Sequence, residues 1–93
     1  MTKADVISAV ASETGLPRTD VSATIEGFMK VVKRAMIEDR EDVYLRSFGT
    51  FAVKRRAEKL ARNISKNTTV IVPAHDYPTF KPSKQFVDEM LDK

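Results

Sequence analysis

Residues 54–69 read Lys-Arg-Arg-Ala-Glu-Lys-Leu-Ala-Arg-Asn-Ile-Ser-Lys-Asn-Thr-Thr, and the architecture turns on how this stretch is placed. Six of its side chains are basic, Lys54, Arg55, Arg56, Lys59, Arg62 and Lys66, against the single acid Glu58. Leu60 and Ile64 are its only large apolar residues, too few to hold the stretch on a core. Both flanks nevertheless read as strands. Upstream, Val43 and Leu45 alternate with Tyr44 and Arg46, and Phe48, Phe51 and Val53 follow. Downstream come Val70-Ile71-Val72, then Thr79-Phe80 as a further strand piece before Pro82. Asn63 to Asn67 supply turn chemistry, because asparagine tolerates the left-handed conformation. The economical structure is a hairpin whose strands extend beyond the body of the domain, mobile until it has something to lie on. A ribbon lined with Arg and Lys has the charge and dimensions to enter a DNA groove and track phosphates. A disordered basic loop is the plainer alternative.

Working towards the N-terminus, the alternation slips by one between Phe48 and Phe51, with Gly49 at the slip, which predicts a bulge or sharp bend. Before the strands the period is helical. Thr2 can cap a first helix with Asp5 in a capping-box position, and Val6, Ile7 and Val10 share one face. Gly15 suits the left-handed position after that helix, Leu16 can fold back on it, and Pro17 ends it while still allowing a new helix to start. A second helix is predicted from about Arg18 to about Glu38, with Val21, Ile25, Phe28, Met29, Val32, Ala35 and Met36 on its apolar face. Gly27 within it costs about 1 kcal/mol against alanine and predicts a close backbone approach. At the other end Ser83 can cap a short helix with Phe86, Val87, Met90 and Leu91 on one face. The order helix, helix, strands, helix makes the fold class α+β.

Composition narrows the chemistry. The chain has 93 residues, 42% of them hydrophobic and 31% charged, which suits one globular domain and no more. It has no cysteine and one histidine, which excludes disulfide frameworks, thiolate zinc sites and cysteine nucleophiles, and removes most Ser-His chemistry. No apolar run nears the roughly 18 residues of a membrane span, and residues 1–20 lack the shape of a signal peptide, so a cytosolic chain is expected. The charge is segregated. Residues 1–42 carry six basic and eight acidic side chains, residues 43–84 nine and two, and residues 85–93 one and three. That is the footprint of a polyanion-binding surface confined to the middle of the chain, a solvated basic face being the simpler reading.

At this point the chain resembles the bacterial HU and integration host factor family of DNA-bending proteins over nearly its whole length. Thr2-Lys3-Ala4-Asp5 with Gly15-Leu16 is similar to the family's first helix and turn. Leu45-Arg46-Ser47-Phe48-Gly49-Thr50-Phe51 is similar to its G-F-G-x-F segment, with serine at the first glycine. Ala61-Arg62-Asn63-Ile64 aligns with the G-R-N-P arm tip, and Ile71-Val72-Pro73-Ala74 with Pro78-Thr79-Phe80-Lys81-Pro82-Ser83-Lys84 resembles the closing segment. Four such segments in order are specific where one alone is not. The chain departs from the pattern at Ile64, where the family has proline, at Asn67, where it has glycine, and at Pro17, where it has serine.

The resemblance implies a single domain, residues 1–93, that forms an intertwined homodimer or a heterodimer with a paralogue. Residues 1–42 would form the helical base, 43–82 a saddle sheet with the arm 54–69, and 83–93 the last helix. The implied partner is double-stranded DNA, including bent, nicked or junction forms, bound in the minor groove and bent or compacted largely without sequence specificity. The implied location is the nucleoid, and no cofactor, metal or membrane is expected. Positions that match arm or saddle contacts are Arg46, Lys54, Arg56, Lys59, Arg62, Asn63, Lys81 and Lys84, with Lys3 as a phosphate contact. Arg55 and Lys66 count with the same arm, and Ile64 stands where the family inserts a wedge between base pairs. Phe28, Met29, Val32, Phe48, Phe51 and Phe80 are the expected dimer core.

Other readings are weaker on the residues. Phe48, Phe51 and Phe80 sit in apolar strand context, which favours core over stacking on bases. His75 reads as an exposed loop residue paired at most with Asp76, and Asp39, Glu41 and Asp42 lack the spacing and glycine of a calcium loop. A helix-turn-helix reader would need positive charge on helix 2, whose polar side mixes Glu26 and Glu38 with Lys30, Lys33 and Arg34. No carboxylate pair, nucleophile–base pair or phosphate loop points to an enzyme. The remaining alternative is a scaffold of the same shape that works through protein partners, for which eroded arm charge would be the sign.

Overall fold

A computed structural model of the chain describes residues 1–63 and 65–93, Asn63 by its backbone alone. Its elements run α1 (Lys3–Thr14), α2 (Arg18–Glu38), β1 (Val43–Leu45), β2 (Gly49–Arg56), β3 (Lys59–Asn63), β4 (Thr68–Val72), β5 (His75–Pro82) and α3 (Lys84–Leu91). The fold is α+β, with antiparallel sheets β1-β2-β5 and β3-β4. The chain divides into two compact units, Met1–Arg34 and Ala35–Lys93.

In the first unit the Thr2 hydroxyl accepts from the Asp5 N–H, and the Thr2 N–H donates to the Asp5 carboxylate at 2.9 Å, a complete capping box. Hydrogen bonding to Thr2, through its backbone N–H first and its side chain second, holds the Asp5 carboxyl below its ordinary pKa. Gly15 ends α1 at φ 75°, its N–H donating to the Ala11 carbonyl at 2.9 Å. The Pro17 carbonyl accepts from both Asp20 and Val21 and so starts α2. Ile7, Val21 and Val32 are buried. Leu16 is 52% exposed, so about half of it is covered. One expectation fails here. A Cβ added at Gly27 would meet nothing within 4 Å among the described residues, so this glycine marks no close approach to them.

In the second unit the slip at Gly49 proves to be a chain reversal and not a bulge within one strand. Leu45 to Phe48 form the β1–β2 turn, closed by the Phe48 N–H on the Leu45 carbonyl at 3.0 Å. Ser47, the third residue of that turn, has φ 66°, a conformation in which glycine is free of strain and serine is not. Gly49 is needed for a different reason. A Cβ on it would lie 2.6 Å from the Lys81 carbonyl oxygen and 2.6 Å from the Phe80 ring, so only glycine lets β2 approach β5 this closely. The Ser83 N–H donates to the Phe48 carbonyl, and the Ser83 hydroxyl accepts from the Phe86 N–H, tying this turn to the capped start of α3.

The basic stretch is organised differently from the single long hairpin expected at 54–69. Lys54, Arg55 and Arg56 still belong to the three-stranded sheet, paired with Tyr77, Asp76 and His75. The ladder breaks at Ala57-Glu58 and at Pro73-Ala74, where proline has no N–H to donate. Beyond the break β3 and β4 form a separate ribbon in register Lys59↔Val72 to Asn63↔Thr68, and Asn67 beyond it takes the left-handed φ of 52° expected of it. Strand β5 is also longer than Thr79-Phe80. It includes Pro78 and Pro82 because it is an edge strand, where a missing donor costs no ladder bond. His75 therefore opens a strand instead of lying in a loop.

Candidate nucleic-acid interface

The register of β2 against β5 sorts the side chains onto two faces, since residues directly opposite share a face and neighbours alternate. One face carries Val43, Leu45, Phe51, Val53, Pro78 and Phe80. Phe80 stands 5.0 Å from Phe51 and 5.4 Å from Phe48 between ring centroids, and Phe86 of α3 lies 5.5 Å from Phe48. The cluster is incompletely covered by its own chain, Phe48 being 46% and Phe80 36% exposed.

The opposite face carries Tyr44, Thr50, Ala52, Lys54 and Arg56 with Lys81, Thr79, Tyr77 and His75. Lys54, Arg56 and Lys81 are exposed on it, three of the expected contact residues brought onto one surface by the two-residue period. The Arg56 guanidinium lies over the Tyr77 ring, 4.5 Å from its centroid. Arg55, next in sequence, lies on the apolar side, where its guanidinium donates to the Asp76 carboxylate at 3.2 Å. Asp76 also holds Arg40 at 3.1 Å. It does not pair with His75, because adjacent strand residues face apart; the His75 ring Nδ1 is instead 3.0 Å from the Pro73 carbonyl.

Of the other expected contacts, Lys59 and Arg62 are exposed on β3, and Lys66 on the turn that follows. The Arg62 guanidinium donates to the Asn67 side-chain carbonyl, bracing the ribbon end. Arg46 is exposed on the β1–β2 turn and Lys84 in the first turn of α3. Lys3 lies on α1, 2.5 Å from Glu26, and this hydrogen-bonded partner holds the Glu26 carboxyl below its usual range. Ile64 and the Asn63 side chain, with the roles expected of them, lie outside the described residues. Of the expected dimer core, Val32 is buried, Met29 and Phe51 are half-buried, and Phe28 is 43% exposed.

Three features escaped the reading of the residues: the Arg56–Tyr77 stack, the Asp76 clamp on Arg40 and Arg55, and the Asp42 carboxylate that accepts the Val53 N–H at 2.8 Å. Each joins residues at least eleven apart, so only the strand register could have revealed them. Among the described residues no three histidine, aspartate or glutamate side chains are grouped to hold a metal ion. No helix among them is long and apolar enough to cross a membrane. A cleft of about 60 Å³ bordered by Met36, Ile37, Arg40, Val53 and Pro78 is far smaller than the roughly 300 Å³ at which ligand pockets begin.

Residues 1–90 match the family model described as bacterial DNA-binding protein. The chain is 34% identical over 90 residues to DNA-binding protein HU of Thermus thermophilus, covering 97% of this chain and 92% of that one. It is 30% identical over 92 residues to integration host factor subunit alpha of a Marinomonas species, covering 99% and 93%. In fold it is similar to the HU of an Anabaena HU–DNA cocrystal structure, with a TM-score of 0.93 at 24% identity over the whole of both chains. The segregated faces, the basic ribbon and these likenesses agree: the chain belongs to the bacterial DNA-binding proteins of the HU and integration host factor family, a family of binding proteins and not of enzymes.

Proposed function

We propose that the protein is an architectural DNA-binding protein that lays its basic ribbons along the minor groove of double-stranded DNA and bends or compacts it, largely without regard to sequence. The observation that carries this reading is the separation of the sheet into an apolar face and a face bearing Lys54, Arg56 and Lys81, with the basic ribbon continuing from its end. Exposed apolar residues in each unit support an intertwined homodimer: Phe28 in the first, and Phe48, Phe80, Val87 and Leu91 in the second, are left 36% or more exposed on a single chain. A paralogue with the same apolar face would serve equally, as the likeness to an integration host factor subunit allows. In this reading residues 1–93 act as one domain, in the cytoplasm on the nucleoid.

The contact set is Lys3, Arg46, Lys54, Arg56, Lys59, Arg62, Asn63, Lys66, Lys81 and Lys84, with Arg55 turned to the other side of the sheet. Residues 54–69 offer six basic side chains per chain, hence twelve per dimer. If about half neutralise phosphates, log K should fall against log salt with a slope near −5. Gel shifts on intact, nicked and four-way-junction duplexes at several salt concentrations test this. A salt-independent or absent shift on all three favours a scaffold that works through protein partners.

Ile64 serves, in this proposal, as the wedge between base pairs. Isoleucine can unstack a step as proline does, but it keeps a backbone N–H that needs a partner and lacks the fixed φ of proline. Ile64→Ser should reduce bending more than affinity, since charge supplies most of the affinity. Energy transfer between dyes at the two ends of a short duplex reads the bend, and an unchanged bend in the serine variant removes the wedge.

A further inference from the structure

We propose that Tyr77 is a positioning residue that presents Arg56 to a DNA phosphate, while Asp76 withholds Arg55 from that task. The inference rests on the DNA-binding reading above and goes beyond it by dividing two adjacent arginines between two jobs. Arg56 and His75 form the last rung of the sheet before the ladder breaks, so Arg56 stands where the body ends and the ribbon begins. A long side chain at such a junction samples many rotamers, and ordering it costs free energy at the moment of binding. The Tyr77 ring, two rungs back and therefore on the same face, removes part of that cost in advance by holding the guanidinium 4.5 Å from its centroid.

The geometry of stacking leaves the group ready for an anion. A guanidinium lying on an aromatic ring uses its planar face, whereas its N–H donors point outward in the plane. The ring therefore takes nothing that a phosphate needs. The contrast with Arg55 is chemical. Asp76 engages the donor edge of Arg55 at 3.2 Å, so a phosphate would have to displace a carboxylate from the same N–H groups. Asp76 is kept in place by its second partner, Arg40. The sequence Arg55-Arg56 thus reads as a doubled basic contact, but one residue, its side chain 67% exposed, is paired with a carboxylate of its own chain, and the other lies over a ring.

The test is binding of the 93-residue chain to a short duplex, followed by fluorescence anisotropy across a range of salt, for wild type and five variants. Arg56→Gln is expected to flatten the salt slope by about 2, one phosphate from each chain of the dimer. Arg55→Gln should leave the slope unchanged and the affinity within about twofold. Tyr77→Ala should weaken binding about tenfold, the loss of two exposed cation–π contacts per dimer. Tyr77→Phe, which keeps the ring, should bind like wild type. In the Arg56→Gln background Tyr77→Ala should cost nothing further, an outcome that simple loosening of the sheet cannot produce. Should Tyr77→Ala melt early, Tyr77→Leu fills the strand position without a π-face and carries the same comparison. A Tyr77 deficit that persists undiminished without Arg56, or a slope that flattens equally for Arg55→Gln, overturns the assignment and leaves the DNA-binding reading standing. Wild type that binds no duplex overturns both.

Discussion

Phe48→Asp is expected to leave no folded protein, monomeric or dimeric. In a single chain Phe48 is 46% exposed, and a carboxylate there would still reach water. On that basis alone the substitution would cost only the ring contacts to Phe80 and Phe86. In a dimer that covers the same face the carboxylate is enclosed among phenylalanines with no donor to receive it. The loss of a buried phenylalanine costs about 3–5 kcal/mol, and an unpaired buried charge adds several more. The sum is comparable with the roughly 5–15 kcal/mol that holds a small domain together. Circular dichroism should show no cooperative melting transition for the variant, and sedimentation of wild type should show a dimer at micromolar concentration. A folded Phe48→Asp monomer would mean that the apolar face needs no partner.

The triple charge reversal Arg56→Glu, Lys59→Glu, Arg62→Glu should abolish DNA binding, by about a thousandfold or more, while the fold persists. All three residues are exposed, so no core is disturbed. They are not idle, since Arg56 stacks on Tyr77 and Arg62 donates to Asn67, and the variant forfeits both contacts. Those are surface contacts, each worth about 1 kcal/mol or less. In a dimer, by contrast, six cations become six anions along the surface proposed to lie on the phosphates. Favourable counterion release is replaced by repulsion at each contact. Gel shifts and a thermal melt of the same preparation decide the matter. Unchanged DNA affinity with an unchanged melt would turn the reading towards a scaffold for protein partners.

The helices could be read from the residues because their signals are local. A Thr2–Asp5 capping box, a glycine at the left-handed end of α1 and a 3.6-residue apolar period each act within one or two turns, and the α2 bounds Arg18–Glu38 follow from them. Asn67 was legible for the same reason, since its left-handed φ is a property of a single residue. Gly49 was legible as special but not in its cause, because the clash it avoids is with Lys81 and Phe80, more than thirty positions away.

Basic charge in residues 54–69 likewise announced a polyanion surface, yet the composition of the stretch could not say which arginine faces which way. That depended on the β2–β5 register, which sets Arg56 with Lys54 and Lys81 on one face and Arg55 against Asp76 on the other. A strand places neighbours on opposite faces whatever their identity, so a doubled arginine is always divided. Which of the two is displayed is settled by the strand that comes back alongside, about twenty residues later, bringing an acid to one and an aromatic ring to the other. The sequence by itself determined the elements and the sign of the charge; the tertiary pairing decided which arginine meets an acid and which an aromatic ring, because partners in a sheet are chosen across space and not along the chain.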